Sequence, residues 1–401
     1  MSKRKLLAGL VLVLVVLACC RGPKALYVRD LSFLYAGKSE FYLNTGLYKS
    51  SQDHYELFFE IYSPDGTKMN WTEVGAELFV HDQTEQKNLL YTDSLPVKID
   101  GRGIGKIEFS MPEIESAVFE LSVITPAGAI ATFLGMNNNN PYSAGNFLLL
   151  DTADAVVCRK YFGSATDLKV LYNNSRLEKL WIYYFSRDFL IAQPPFTYAK
   201  REAFNYIPDS IFSVELKNGR SGQFRIDRPG FYHVLADTSQ RQGITVFLFP
   251  KGFPEISTAA QMLEPLRYIT SQKEFDVLKE EQNTKRAVER FWLKLKGDEV
   301  RALNAIRSYY SAAEKANIYF SSYLEGWKTD RGLIYMIYGP PHKVNRGNGF
   351  ETWLYGQANS VNSVEFTFVQ VINPFTDNDY QLIKSPKYKS SWYYAVDNVR
   401  R

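Results

Sequence analysis

The chain has 401 residues, 47 of them Lys or Arg and 43 Asp or Glu, with a formal net charge of +4. Lys3, Arg4 and Lys5 all stand at the extreme N-terminus, so the rest is close to neutral and lacks the concentrated basic stripe a nucleic-acid partner requires. Cys19 and Cys20 lie near the N-terminus and leave Cys158 alone in the body, which excludes an internal disulfide there and a thiolate metal cluster.

The basic residues are followed by an apolar run from Leu6 to Leu17 and then by Ala18, Cys19 and Cys20, the tripartite pattern of a secretory signal. Those twelve residues cover about 18 Å as a helix, short of the roughly 30 Å hydrocarbon core of a bilayer. Val16-Leu17-Ala18-Cys19 resembles the bacterial lipobox, which implies cleavage after residue 18 and acylation of Cys19. Cys20 is the poorer candidate because a cysteine, not a small residue, precedes it. Two or more acyl chains would tether the protein stably. An ordinary secretory cleavage with two incidental cysteines is the alternative.

The mature length allows two or three domains with sizeable cores, and 15% aromatic content favours strands. From about Ala25 to Asn137 the period is two, which places a first β domain over 19–137. Tyr55, Leu57, Phe59 and Ile61 form one face, Ile107, Phe109 and Met111 another, and Phe119, Leu121 and Val123 a third. Ser63-Pro64-Asp65-Gly66 and Thr125-Pro126-Ala127-Gly128 supply turns. The polar run Met136-Asn137-Asn138-Asn139-Asn140-Pro141 reads as a linker. A second β domain is expected over 138–250, with Trp181, Tyr183 and Phe185 on one strand face and Phe212, Val214 and Leu216 on another. An Asn218-Gly219 hairpin turn follows. Asp227 to Tyr232 resembles the entry to the tyrosine-corner strand of immunoglobulin-like sandwiches.

After Pro250 the period becomes helical. Ser271 and Glu274 form a capping box, and Leu278, Val288, Phe291, Trp292 and Leu295 trace one apolar face. Beyond a turn at Gly297, Val300, Leu303, Ile306, Tyr310 and Ala313 predict a second helix. Strands are expected at Leu333–Tyr338, ended by Gly339-Pro340-Pro341, at Thr352–Tyr355 including Trp353, and at Val364–Val371. The expected fold is therefore mainly β plus α+β: two immunoglobulin-like β-sandwich domains, then a helical hairpin on a small antiparallel sheet over 251–401.

The stretch Gly326-Trp327-Lys328-Thr329-Asp330-Arg331-Gly332, continuing to Tyr338-Gly339-Pro340-Pro341, closely resembles the signature of the GWxTD domain family of bacterial envelope proteins. Pro265 to Ile269 and Phe291-Trp292 match its upstream pattern, so the resemblance spans about 255–372. It implies an envelope lipoprotein of Bacteroidota-type bacteria, with two β domains ahead of the module and no assigned reaction. His342 stands where the family usually has an acid. The order of Tyr338-Gly339-Pro340-Pro341, Trp353-Leu354-Tyr355 and Phe366-Thr367-Phe368 is also similar to small BamE-like lipoproteins, a fold-level analogy that suggests docking on other envelope proteins.

Read physically, Gly326 would stop the second helix in a left-handed conformation, Trp327 would fold over the hairpin, and Asp330 and Arg331 would flank a strand entry. The alternative is an exposed recognition site built on Asp330 and Arg331. The histidines, His54, His81, His233 and His342, have no metal-ligand spacing, and neither a nucleophile elbow nor a phosphate loop occurs. No catalytic residue, metal or cofactor is therefore expected. Cys158 reads as a buried small hydrophobe. Asp93-Ser94-Leu95, Asp151-Thr152-Ala153 and Asp209-Ser210-Ile211 resemble the short O-glycosylation pattern of Bacteroidota secreted proteins.

The expectation is a non-enzymatic scaffold or accessory subunit of an envelope complex, held to the outer membrane by its acyl chains and partnered by another outer-membrane or periplasmic protein. The absence of acidic residues just after Cys19 favours the periplasmic face. A glycan-binding or glycan-cleaving lipoprotein is the alternative, and a cleft with two carboxylates and exposed aromatics would favour it.

Overall fold

The computed structural model describes residues 29–36, 41–51, 53–63, 69, 71–81, 87–99, 103–111, 116–137, 145–198, 203–347, 349–357, 360 and 363–401. The signal segment, Cys19, the turn at 64–66 and the linker residues 138–141 lie outside them.

The protein is mostly β, with several sheets and helices gathered toward the C-terminus. The N-terminal strand β1 (Arg29–Asp30) stands apart from the β domain that follows it. That domain holds two four-stranded sheets. One has the order β2-β3-β7-β6 (Tyr42–Lys49, His54–Tyr62, Gly103–Ser110 and Lys98–Ile99), and the other β5-β4-β8-β9 (Lys87–Pro96, Glu73–His81, Ser116–Thr125 and Gly128–Asn137). The alternating residues read from the sequence meet between them, Leu57, Phe59, Ile61 and Ile107 from one sheet and Phe119, Leu121 and Val123 from the other, joined by Leu78 of β4, each at most 1% exposed. A period-two strand buries one face, and here two such faces share one core. Between β8 and β9 the Thr125 hydroxyl accepts from Ala127 N and donates to Gly128 O, closing the expected turn.

The second β unit has nine strands: β10 (Phe147–Leu150), β11 (Tyr161–Phe162), β12 (Thr166–Tyr172), β13 (Lys179–Phe185), β14 (Ser210–Lys217), β15 (Arg220–Ser221), β16 (Phe224–Ile226), β17 (Gly230–Leu235) and β18 (Gly243–Leu248). Asn218 (φ 51°) and Gly219 (φ 79°) make the two-residue turn between β14 and β15. In β13 Leu180, Ile182 and Tyr184 enter the core of the unit, while Trp181, Tyr183 and Phe185 share the other face, as expected, with Phe185 buried there among Phe231, Phe247 and Phe375. The Tyr232 hydroxyl donates to Arg228 O (3.2 Å) and accepts from the Asp227 and Arg228 amides. Cys158 is buried with Tyr48, Phe58, Leu148 and Leu150, where the first β domain meets the second, and burial pushes its thiol well above the usual range. An inert packing role follows.

Among the described residues six α-helices follow: α1 (Ala259–Leu263), α2 (Gln272–Glu280), α3 (Thr284–Lys296), α4 (Glu299–Phe320), α5 (Asp330–Tyr338) and α6 (Lys389–Arg400). The Ser271/Glu274 capping box forms at the start of α2. The first apolar stretch is two helices, α2 and α3, separated at Asn283, which caps α3. In α4 the inward face is Ala302, Tyr309, Tyr310, Ala313, Ala316 and Phe320, whereas Val300 and Leu303 are 69% and 52% exposed, contrary to the expected stripe.

Leu333–Tyr338, expected as a strand, lies in α5, and Leu333 through Ile337 are all buried. A short run apolar on every side carries no period, so a core helix and a core strand read alike. The C-terminal sheet runs β1-β19-β20-β21-β22, the last four being Lys343–Gly347, Phe350–Tyr355, Val364–Gln370 and Tyr380–Leu382. Its first strand comes from the N-terminus: Arg29 pairs with Arg346 and Asp30 with Asn345. Leu31 N donates to Val344 O at 2.7 Å, and Leu31 and Tyr35 are buried in the C-terminal core. The C-terminal sheet thus recruits residues that the sequence pattern assigned to the first β domain.

Candidate functional site

Every residue of the 326–332 signature is engaged inside the fold. Helix α4 stops at Phe320, six residues before Gly326, with Ser321 as its C-cap. Ser321 Oγ donates to Asn317 O (2.7 Å) and accepts from Gly326 N (2.9 Å), and Trp327 N donates to Asn317 Oδ1 (3.3 Å). The chain therefore folds back onto the last turn of α4. A Cβ on Gly326 would lie 1.8 Å from Ala316 O, so glycine is required by close approach. Its backbone is not in the left-handed region, which corrects the expected helix stop. Trp327 is buried against Tyr268, whose hydroxyl donates to Trp327 O (3.1 Å).

Thr329 caps α5: its hydroxyl accepts from Gly332 N (3.1 Å) and donates to Gly326 O (2.8 Å). Gly332 crosses the same carbonyl so tightly that a Cβ would lie 1.9 Å from it. Asp330, in the first turn where a carboxylate suits the helix dipole, accepts from Leu382 N at 2.9 Å, with Lys384 Nζ 3.8 Å away. It thereby occupies an outward-facing amide of the edge strand β22. At the far end of α5, Tyr338 donates to Ser391 Oγ (3.2 Å) and Gly339 (φ 76°) accepts from the Tyr355 hydroxyl (2.9 Å). Pro340 is exposed and Pro341 buried.

Arg331, 1% exposed, enters a polar cluster inside the core. Its guanidinium donates to Asn378 O (2.9 Å) and Asn378 Oδ1, stands 3.4 Å from Glu351 Oε2, and lies over the Tyr380 ring at 4.1 Å. Glu351, fully buried, also accepts from Arg346 Nε (2.9 Å) and from Trp353 Nε1 (2.6 Å). Arg346 donates in turn to the Tyr35 hydroxyl at 2.7 Å. Burial opposes ionisation of Glu351, but the charges of Arg346 and Arg331 together with these hydrogen bonds hold its carboxyl below the usual range. Burial raises the Tyr35 phenol far above its ordinary value, so it stays neutral. Asn378 donates to Tyr319 O (3.1 Å) and Ser321 O (2.9 Å), tying the cluster to the end of α4. Arg331 is thus internal and Asp330 is tied to β22, and nothing in the sequence pattern pointed to Glu351, Arg346, Asn378 or Tyr35 as partners of Arg331.

Beside the motif lies a cleft of about 270 Å³, bounded by Lys328, Thr329 and Asp330, by Asp379 and Tyr380, and by the 186–193 segment that leaves β13. Phe189, Phe204 and Tyr323 add aromatic surface. Tyr323 and Phe375 insert against Phe185, Phe231 and Phe247, so the second β unit and the C-terminal module share an aromatic core. The segment is fastened across the module: Ala192 N donates to Lys328 O (2.9 Å), Lys384 Nζ to Gln193 O (3.1 Å) and Ser385 N to Pro195 O (3.0 Å). Of the three carboxylates that line the cleft, Asp188, Asp330 and Asp379, Asp379 accepts from Tyr323 OH at 2.9 Å and Asp330 is engaged as above. Among the described residues no group of three or more His, Cys, Asp or Glu is placed to hold a metal ion. His233 is buried between Thr245 Oγ1 (2.7 Å) and Arg241 O (3.0 Å), and His342 is exposed with Nδ1 accepting from Gly356 N (2.9 Å).

These features define a multi-sheet β protein closed by an α+β module whose signature turn is built into its own core. The module is a GWxTD domain: the family model for that domain matches residues 230–401. The match begins in β17 and so takes in Phe231 and Phe247 of the aromatic interface as well as the 255–372 stretch. No curated protein matches the chain. Among solved structures it is similar to trypsin-activated alpha-2-macroglobulin from Escherichia coli (13% identity, TM-score 0.20, 53% of this chain and 17% of that one). It is also similar to Parabacteroides merdae beta-glucuronidase (16%, 0.18, 24% and 14%) and red sea bream transglutaminase (12%, 0.17, 52% and 31%). The chain spans less than a third of each of these chains, and likenesses this slight carry no argument.

Proposed function

We propose that this protein is a lipoprotein anchored in the outer membrane through acylated Cys19, on its periplasmic face, and acts as a non-enzymatic scaffold or accessory subunit of an envelope protein complex of a Bacteroidota-type bacterium. Its two β units are immunoglobulin-like sandwiches in this reading, supported in the first by the shared core of its two sheets and in the second by the hydrogen bonds of Tyr232.

One observation carries the scaffold reading. Leu293, Val300 and Leu303, on either side of the Gly297 turn between α3 and α4, are 43%, 69% and 52% exposed. Aliphatic side chains gathered at one end of a helical hairpin suit a protein partner. Crosslinking in cells, followed by pull-down of the tagged lipoprotein and mass spectrometry, tests it. A stoichiometric envelope protein is expected, with recovery lost in a Val300→Glu/Leu303→Glu variant whose melting temperature is unchanged. The second reading, a glycan-binding or glycan-cleaving lipoprotein, is favoured by Phe189, Phe204 and Tyr380 beside Asp330 and Asp379 in the cleft. Absence of a protein partner together with binding or turnover of an envelope glycan would replace the first reading with the second.

A further inference from the structure

In chain order the GWxTD domain comes last, so a protein tethered by its N-terminus would be expected to hold it farthest from the membrane. Strand β1 reverses that expectation. Arg29 and Asp30 pair with Arg346 and Asn345 of β19, Val344 N donates to Ser32 Oγ (2.9 Å), and Tyr335 OH donates to Tyr35 O (3.3 Å). The chain is thus fixed to the GWxTD domain before it enters the first β domain. Nine residues lie between Cys19 and Arg29, and those ten residue steps span at most about 33–36 Å even when fully extended.

We propose that the GWxTD domain is the membrane-proximal part of the molecule, with its β1–β19 edge turned toward the phospholipid surface and both β domains projecting away from it. The proposal rests on the acylation of Cys19. Two surface residues of this edge suit that position: Lys343, exposed at the start of β19, and Phe33, 53% exposed just after β1. An aromatic ring and a cation are the side chains that amphipathic surfaces present at a lipid headgroup layer. Phe33 lies 6.1 Å from Phe133 of β9, so the first β domain also touches this end. Strand β5 lies at the opposite edge of that sheet, about 14 Å from β9 across three inter-strand spacings.

The full-length acylated protein, reconstituted into phosphatidylethanolamine/phosphatidylglycerol vesicles with a headgroup-labelled acceptor lipid, tests the proposal by energy transfer. A donor fluorophore is placed through an unnatural amino acid at Lys343 or, in separate proteins, at the exposed Leu89 of β5 or Lys217 of β14. Transfer is expected to be strongest from position 343, and to fall there when ten Gly/Ser residues are inserted after Lys24. Transfer from 89 or 217 equal to or above that from 343, or transfer from 343 indifferent to the insertion, would overturn the proposal. Palmitate labelling of the unaltered protein separates the two readings. Without incorporation the anchor itself falls and the proposal with it, whereas incorporation with the wrong order of transfer removes only the orientation.

Discussion

The Tyr35 hydroxyl accepts a hydrogen bond from Arg346 at 2.7 Å across 311 positions of sequence. The bond joins the N-terminal segment to the buried charges of the GWxTD domain, and it makes that domain depend on residues no C-terminal fragment contains.

Tyr35→Phe is expected to lower stability by about 1–2 kcal/mol, because the Arg346 guanidinium loses an acceptor in a largely buried place. A fragment spanning 251–401 lacks Leu31 and Tyr35, both buried in its core, and also Phe231 and Phe247. Circular dichroism melts should show no cooperative transition for that fragment, in contrast to the protein beginning at Arg29.

Arg331→Met leaves Glu351 buried with one cationic partner fewer and should cost about 3–5 kcal/mol, since breaking a buried ion pair exposes the remaining charge to an apolar interior. Adding Glu351→Leu removes that charge. The double variant is expected to be less destabilised in urea than the sum of the single variants, and strict additivity would refute the coupling.

Gly332→Ala and Gly297→Ala distinguish the two uses of glycine. At 332 a Cβ would meet Gly326 O at 1.9 Å, so the helix must shift, with a loss of about 3 kcal/mol or more. At 297 nothing lies within 4 Å, and only the left-handed backbone (φ +80°) resists, at about 1–2 kcal/mol. Chemical denaturation of both variants should show that order.

Burial holds the His233 imidazole at about 4, below the ordinary 6.5 of a histidine, despite a hydrogen bond to Arg241 O. The unfolded chain therefore binds a proton that the folded chain refuses between those values. Stability from this group is fully present above pH 6.5 and is lost as pH falls toward 4, by about 3 kcal/mol. Melting temperatures recorded from pH 7 to pH 4 should fall less steeply in a His233→Asn variant than in the unaltered protein.

The amino-acid pattern alone specifies the strands of the first β domain, because a half-buried sheet writes its period of two directly into Tyr55, Leu57, Phe59 and Ile61. It also determined the Ser271 cap and the Asn218-Gly219 turn, which are local backbone chemistry, and the GWxTD signature. The folded core, not the pattern, makes Leu333–Tyr338 a helix, since a segment buried on all sides shows no period. It alone decided which side of α4 faces inward, where small residues such as Ala313 and Ala316 allow close packing and the larger Val300 and Leu303 lie outside. It likewise chose the partners of Arg331, because Glu351, Arg346, Asn378 and Tyr35 are brought together by long-range pairing of β1, β19 and β20, and a buried charge records its need for a partner without recording where in the chain that partner lies.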